Sequence, residues 1–168
     1  MSPTQHNVDF LLVQMTESLR KLISDKNIEK PLFVGIRSGG IWIAQKLHQS
    51  LAIAEPMGTL DISFYRDDFT RVGLDPKVQP SNLPNSTQDR HIILVDDVIQ
   101  SGRTIRAALN ELFDYGRPAS VSLVALIDLG SRELPISADI VGSSLSLAPN
   151  QHIKLIGPEP LSLEISQR

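Results

Sequence analysis

The amino-acid sequence predicts an α/β fold, an open and mainly parallel sheet flanked by helices. Residues 32–51 and 92–112 each contain a short apolar run, a turn of small residues and a helical pattern, as βα units do. A second apolar run at 121–127 follows the second unit, so residues 92–127 should form a strand, helix, strand unit with a right-handed crossover. Continuous apolar strands are typical of parallel sheets whose two faces are both buried.

The remaining elements are predicted from periodicity. Apolar residues recur at helical spacing from Val8 to Ile23, which predicts an amphipathic helix that packs against the core or against another subunit. Residues Gly58 to Tyr65 alternate apolar and polar side chains, the pattern of a half-buried strand. Shorter strands are predicted at 140–141, 153–156 and 161–165.

Residues 66–90 have a different character, with three prolines, few apolar side chains and many charges. A stretch of about 25 residues without regular structure is uncommon inside a compact domain and is often a functional lid. We therefore expect a flexible arm here. The alternative is a simple surface hairpin or excursion.

Composition narrows the class of protein. A chain of 168 residues fits a single domain, residues 1–168, and its net charge of -3 offers nucleic acid no general attraction. The chain has no cysteine, which excludes disulfides, thiolate metal sites and cysteine nucleophiles. No window approaches the ~18 consecutive apolar residues of a membrane-spanning helix. We expect a cytoplasmic protein without membrane contact.

The stretch from His91 to Thr104, HIILVDDVIQSGRT, is the central motif. Asp96 and Asp97 follow a buried strand, at the carboxyl end where open α/β sheets bind ligands. Because successive side chains of a strand point to opposite sides, the two carboxylates should have different roles. Ser101 and Gly102 precede a helix, and exposed backbone N–H groups there suit a monophosphate. Nearby carboxylates could bind ribose hydroxyls or help to hold Mg²⁺.

A second turn of the same kind lies at residues 37–40, where Arg37, Ser38, Gly39 and Gly40 join a strand to a helix. Most such turns only connect elements. Two anion sites at one sheet edge would nevertheless suit a ligand with phosphate at both ends.

The central motif resembles the PRPP-binding signature of type I phosphoribosyltransferases: four apolar residues, two acidic residues, further apolar residues and a Thr/Ser-Gly-x-Thr loop. More narrowly, GTLDISFYRDDFTRVGL, VDDVIQSGRTIRAAL and GRPASVSLVALIDLGSRELPISADIVG are similar to the pyrimidine operon regulators that are also uracil phosphoribosyltransferases. The resemblance extends from about Val34 to Gly142. It implies the type I phosphoribosyltransferase fold and the conversion of uracil and PRPP to UMP and pyrophosphate with Mg²⁺.

The resemblance also implies roles for individual residues. Asp96 and Asp97 would hold the ribose hydroxyls, stabilise charge at the sugar and contact the metal indirectly, through PRPP and water. Arg66, at the base of the arm, would be the third catalytic residue and would reach the pyrophosphate. The remaining PRPP-binding positions would be Arg37, Ser38, Gly39, Gly40, Val98, Ile99, Gln100, Ser101, Gly102, Arg103 and Thr104. Asp128, Ile153 and Lys154 would flank the nucleobase, although a strand-end turn and ordinary strand packing explain these residues equally well.

The chain departs from the family pattern in two places. An arginine usually stands where this chain has Gly39, which predicts weaker pyrophosphate binding unless Arg37 compensates. The family's regulators bind leader mRNA, yet between Leu129 and Asn150 the only cationic side chain is Arg132. Because phosphate contacts supply much of RNA affinity, we expect weak leader binding.

Three functions remain open on the sequence. The first is a uracil phosphoribosyltransferase with a possible regulatory role. The second is a sensor of UMP or PRPP that regulates pyrimidine gene expression with weak or no catalysis. The third is an enzyme of the same kind that uses a purine. By family resemblance we also expect a homodimer or a larger homo-oligomer.

Overall fold

The computed structural model describes residues 7–62, 81–84 and 86–167. In chain order the elements are α1 (Val8–Asp25), β1 (Leu32–Ile36), α2 (Gly39–Ser50), β2 (Gly58–Leu60), β3 (His91–Ile99), α3 (Arg103–Asp114), β4 (Ser120–Asp128), β5 (Ile140–Ser144), β6 (Gln151–Ile156) and β7 (Ser162–Gln167). No helix within these ranges is long and apolar enough to cross a membrane.

Five strands form the central sheet in the order β2-β1-β3-β4-β5, and every neighbouring pair is parallel. This confirms the predicted α/β class and the parallel sheet. β6 and β7 form a separate antiparallel hairpin, with Ile153 opposite Ile165. Because the strands of the sheet are parallel, the loops after β1, β3 and β4 emerge at one edge, where the predicted site residues are concentrated.

Alternate residues of the strands enter two cores on opposite faces of the sheet. Phe33, Ile93 and Val95 pack with residues of α1 and α2. The intervening residues, such as Ile92 and Leu94, pack with residues of α3. This period of two directs Asp96 to the α3 face and Asp97 to the α2 face.

The predicted first helix is confirmed as α1. The side-chain oxygen of Asn7 accepts a hydrogen bond from the N–H of Phe10 at 2.9 Å and so caps the first turn. The apolar stripe from Val8 through Leu19 is buried against the sheet, whereas Phe10 and Val13 on the other side are exposed.

The strand predicted from Gly58 to Tyr65 is present in its first part as β2, and Asp61 and Ile62 follow it outside regular structure. β2 ends at Leu60, and Asp61 is buried, with only 7% of its surface exposed. The carboxylate lies 3.9 Å from the Nε atom of Arg37, which belongs to the loop after the neighbouring strand β1. Residues 63–65 lie outside the described residues.

The predicted arm at 66–90 is described only in its last part, since residues 66–80 and 85 lie outside the described residues. Residues 81–84 return to the sheet edge, where Asn82 and Thr59 exchange two backbone hydrogen bonds of 2.8 Å. Thr87 is buried and donates its hydroxyl hydrogen to the carbonyl of Leu112 at 2.9 Å. The end of the arm is therefore bonded to the body of the protein.

Candidate active site

β3 is longer than the sequence predicts and includes both carboxylates. The strand continues through Asp96 and Asp97 to Ile99, and it pairs with β4 as far as the Ile99 and Asp128 positions. Both carboxylates are therefore fixed on a paired strand and not on a loop. A strand gives more precise positioning than a loop does.

Each carboxylate accepts a hydrogen bond from the next backbone N–H. Oδ1 of Asp96 accepts from Asp97 N at 2.9 Å, and Oδ1 of Asp97 accepts from Val98 N at 2.8 Å. Asp96 is 4% exposed, whereas Asp97 is only half-buried. The two neighbours thus have different environments, and Asp97 is the more accessible to a ligand.

The loop that follows β3 has the geometry predicted for an anion site. Gly102 has a φ of 94°, a conformation that glycine adopts readily, and it directly precedes the first turn of α3. The hydroxyl of Ser101 accepts from the N–H of Arg103 at 3.1 Å. Ser101 thus occupies one first-turn N–H, while Gly102, the residue before the helix, has no side chain to cap it, so the positive end of the helix dipole faces the loop.

The second predicted anion turn is shorter than expected, because α2 already begins at Gly39. Arg37 and Ser38 are exposed, while Gly39 and Gly40 are buried in the first turn of the helix. The N–H of Arg37 donates to the carbonyl of Leu60 at 2.9 Å, which ties this loop to β2.

Both glycines allow α2 to approach β3 closely. A Cβ on Gly40 would lie 2.6 Å from the carbonyl oxygen of Val95, and a Cβ on Gly39 would overlap the carboxylate of Asp97. The first turn of α2, with its positive dipole end, therefore lies directly beside Asp97.

A cavity of about 350 Å³ lies between the end of β3, the loop after β4 and the β6–β7 hairpin. Apolar side chains of Val98, Leu129 and Ile153 contribute to its walls. The polar residues Gln100, Ser131, Gln151 and His152 also line it, together with residues 147–149. The cavity therefore combines apolar walls with a few hydrogen-bonding groups, as sites for small molecules generally do.

Asp128, the last residue of β4, is held by Arg132. Its two oxygens accept from Nη1 and Nη2 of the guanidinium at 2.9 and 2.8 Å, and Oδ1 also accepts from the N–H of Gly130 at 2.8 Å. The hydrogen bonds from Arg132 lower the pKa of this carboxyl most, while burial opposes them and the Gly130 N–H and the charge of Arg132 add to the lowering. Asp128 therefore stays ionised and engaged within the protein.

The structure brings most of the predicted residues to one edge of the sheet, but not all of them. Ile99 is buried in the α3-side core, and Lys154 is exposed on β6 without lining the cavity. Arg66 lies outside the described residues.

Sequence reasoning missed Leu129, Ser131, the segment 147–149, Gln151 and His152 as cavity residues. Of these, Leu129 and Ser131 could have been expected, because they directly follow a parallel strand. Nothing local to the sequence shows that the hairpin closes against β3.

The described residues contain no group of three or more His, Cys, Asp or Glu side chains placed to hold a metal ion. Asp96 and Asp97 supply carboxylate oxygens, which Mg²⁺ prefers, and Mg²⁺ commonly binds through one or two carboxylates together with substrate phosphates and water. These residues fit a metal that arrives with its phosphate ligand.

Comparison with known proteins gives one matching family model, the phosphoribosyl transferase domain, over residues 10–157. The chain is 60% identical over 154 residues to the bifunctional protein PyrR of Pseudomonas paraeruginosa, covering 92% of this chain and 91% of the relative. It is 53% identical over 165 residues to the bifunctional protein PyrR of Nitrosococcus oceani, covering 97% and 93%.

Among solved structures, a hypoxanthine-guanine phosphoribosyltransferase from Bacillus anthracis superposes with a TM-score of 0.67 at 17% identity. The match covers 88% of this chain and 84% of that one. At this identity the likeness concerns the fold alone.

Proposed function

Because the chain belongs to the phosphoribosyltransferase family, we propose that it transfers the 5-phosphoribosyl group of PRPP to uracil and so forms UMP and pyrophosphate. The single observation that carries the proposal is the position of Asp96 and Asp97. Both lie on β3 next to the anion loop that follows this strand, and Val98 and Gln100, directly after them, line the cavity. The proposed sugar, base and phosphate sites would then follow one another at the end of β3.

PRPP would lie along this edge. The loop from Gln100 to Thr104 and the first turn of α3 would bind the 5′-phosphate. The carboxylate of Asp97, and Asp96 behind it, would orient the ribose hydroxyls and stabilise positive charge on the sugar. Arg37, Ser38 and the amino end of α2 would bind the pyrophosphate, and we keep Arg66 as a further cation for that group.

The cavity would hold the base. A planar uracil ring would pack between the apolar side chains of Val98, Leu129 and Ile153. Uracil carries neutral N–H and C=O groups on its edge, and the neutral side chains of Gln100, Ser131 and Gln151 offer matching donors and acceptors. Since Arg132 occupies both oxygens of Asp128, we assign Asp128 to organising the cavity wall and not to direct contact with the base.

In the reaction the bond between C1 of the ribose and the pyrophosphate oxygen breaks, and a bond from N1 of uracil to that carbon forms with loss of the N1 proton. The sugar carries positive charge as the leaving group departs, so electrostatic stabilisation should dominate. Asp97 supplies negative charge on the sugar side, and Arg37 neutralises the leaving group. Water would compete with uracil for the sugar, which is why a closing arm would be useful.

Mg²⁺ bound with PRPP would neutralise part of the pyrophosphate charge. Asp96 and Asp97 are the residues of this chain that would hold it, through water and the oxygens of PRPP.

The test is UMP formation from uracil, PRPP and Mg²⁺, followed by product mass. Asp97→Asn should lower kcat by about 10²–10³-fold, because a charge aimed at the reacting sugar is lost. Asp25→Asn, an exposed aspartate at the end of α1, is the matched control and should be unaffected. Binding of PRPP or UMP without turnover of any base would support the sensor instead.

A second function is favoured by the relatives, whose name is bifunctional protein PyrR. We propose regulation of pyrimidine genes as the second role. Arg132 donates to Asp128, Gln100 and Ile136, so RNA contact would have to use cations elsewhere on the chain. Filter binding of a candidate leader RNA at two salt concentrations tests this, since salt-independent or undetectable binding would argue against an RNA-binding role. Cytoplasmic location and homo-oligomer formation stay predictions.

A further inference from the structure

Arg132 connects three separate parts of the site. Its Nη1 and Nη2 atoms donate to the carboxylate of Asp128 at 2.9 and 2.8 Å. Nη1 also donates to the carbonyl of Gln100 at 2.9 Å, and Nε donates to the carbonyl of Ile136 at 2.7 Å. One side chain thus joins the end of β4, the start of the proposed 5′-phosphate loop (residues 100–104) and the loop after β4 that carries Arg132 itself.

The environment of this group favours arginine specifically. The side chains of Arg132 and Asp128 are only 21% and 19% exposed, so the pair is largely removed from water. A planar guanidinium can donate to a carboxylate with two parallel bonds and still direct other N–H groups at carbonyls, which the compact ammonium of lysine cannot do.

The loop that carries Arg132 is also bonded to the phosphate loop through its backbone. The carbonyl of Ser101 accepts from the N–H groups of Glu133 and Leu134 at 2.9 and 3.1 Å. Leu134 and Ile136 lie against Gly102, where a Cβ would come within 3.1 Å of Ile136. Consecutive carbonyls of the phosphate loop, those of Gln100 and Ser101, are therefore held by one neighbouring loop.

That same neighbouring loop forms part of the cavity wall, because Leu129 and Ser131 line the cavity. The N–H of Leu129 donates to the carbonyl of Ile99 at 2.9 Å, which continues the connection to β3. A displacement of residues 129–136 would move the base cavity and the phosphate loop relative to one another.

We propose that Arg132 is a positioning residue that fixes the 5′-phosphate loop, residues 100–104, relative to the base cavity. It acts by holding the Gln100 carbonyl and the Asp128 carboxylate. The inference rests on the proposed function, in which the loop holds the ribose 5-phosphate and the cavity holds the base. The reacting atoms of the sugar and the base must then be kept at a fixed distance. A misplacement of about 1 Å between reacting groups can lower a rate by about 10²-fold.

The test compares Arg132→Gln and Arg132→Lys with Arg117→Gln, an exposed arginine outside the site. The positioning role predicts a fall in kcat of about 10–100-fold in both Arg132 variants, per folded molecule. Arg132→Lys keeps the charge, so failure of lysine to rescue activity distinguishes geometry from charge. Asp128→Asn combined with Arg132→Gln should be no worse than the more damaging single variant, because the two residues act together.

A second measurement does not depend on turnover. Amide hydrogen exchange of the 100–104 segment should become faster in Arg132→Gln than in the wild type and in Arg117→Gln. If the wild type transfers phosphoribose to no base, the proposed function fails, while faster exchange at 100–104 still supports the positioning role. Unchanged exchange at 100–104, or a kcat per folded molecule within 3-fold of an active wild type, would overturn it.

Discussion

Gly39 and the carboxylate of Asp97 lie so close together that no side chain fits between them. A Cβ on Gly39 would lie 2.7 Å from Cγ of Asp97, and its nearest neighbour would be the Oδ2 atom of the same carboxylate. Any side chain at this position would require Asp97 to move. The glycine therefore places the amino end of α2 directly against the carboxylate that we assign to the sugar.

Gly39→Ala should reduce activity more than stability. The carboxylate atoms can rotate away, but the Cβ of Asp97 would also lie 2.9 Å from the new Cβ, so the fold survives only with a shift of Asp97 from its position. We expect kcat to fall by at least about 10-fold, measured by UMP formation. Gly40→Ala is the informative contrast, because its Cβ would meet the backbone carbonyl of Val95 and should lower the melting temperature instead. Equal activity of Gly39→Ala and wild type would contradict this account of the glycine.

Asp61→Asn tests the ion pair between Arg37, in the loop after β1, and Asp61, which follows β2. The buried carboxylate of Asp61 lies 3.9 Å from Nε of Arg37, whose side chain is 40% exposed. Loss of this orienting charge should raise the KM for PRPP by about 2–5-fold, since partly exposed ion pairs contribute up to about 1 kcal/mol. The KM for uracil should not change. Equal rises in both constants would indicate a general loss of structure.

A substitution in the base cavity should affect the KM for uracil and leave the KM for PRPP unchanged, the opposite of the effect expected for Asp61→Asn. Ile153→Ala removes part of an apolar wall, and the KM for uracil should rise by about 5–30-fold, the equivalent of about 1–2 kcal/mol of lost contact. The KM for PRPP should stay close to that of the wild type. Ile165→Ala, the opposite residue of the same hairpin, is a matched control because Ile165 is absent from the cavity lining. Equal effects of the two variants would place the base elsewhere.

Asp128 makes the stability of the protein depend on pH at the acid end. Arg132 lowers the pKa of this carboxyl below its usual value of 3.8, so the ionised form stabilises the fold. A depressed pKa contributes fully above the unfolded value and is lost as pH falls through the folded one. The stability difference between wild type and Asp128→Asn should thus be constant from about pH 5 to 7 and shrink below about pH 4. Urea unfolding at several pH values measures it, and a difference that grows on acidification would contradict the assignment.

The sequence predicts those features that depend on local pattern. The strands from Leu32 and from Ile92 are continuous apolar runs, and the loop at Ser101 and Gly102 follows directly from its small residues. The first helix is predicted equally well by its apolar stripe.

Features that depend on contacts between distant parts of the chain could not be predicted. Asp61 is buried and lies beside Arg37 of the loop after β1, a contact that alternation alone cannot show. Ile153 meets Val98 only because the β6–β7 hairpin folds against β3. Nothing in the sequence around Arg132 predicts its hydrogen bonds to Gln100 and Asp128.

The most direct test of the central claim is competition among nucleobases. The purified protein is incubated with PRPP, Mg²⁺ and an equimolar mixture of uracil, cytosine, hypoxanthine, guanine and adenine, and the nucleotide products are identified by mass. UMP should be the main product, together with one pyrophosphate for each UMP formed. A purine nucleotide as the main product would contradict the assignment of uracil, and the absence of any nucleotide would contradict the enzymatic function itself.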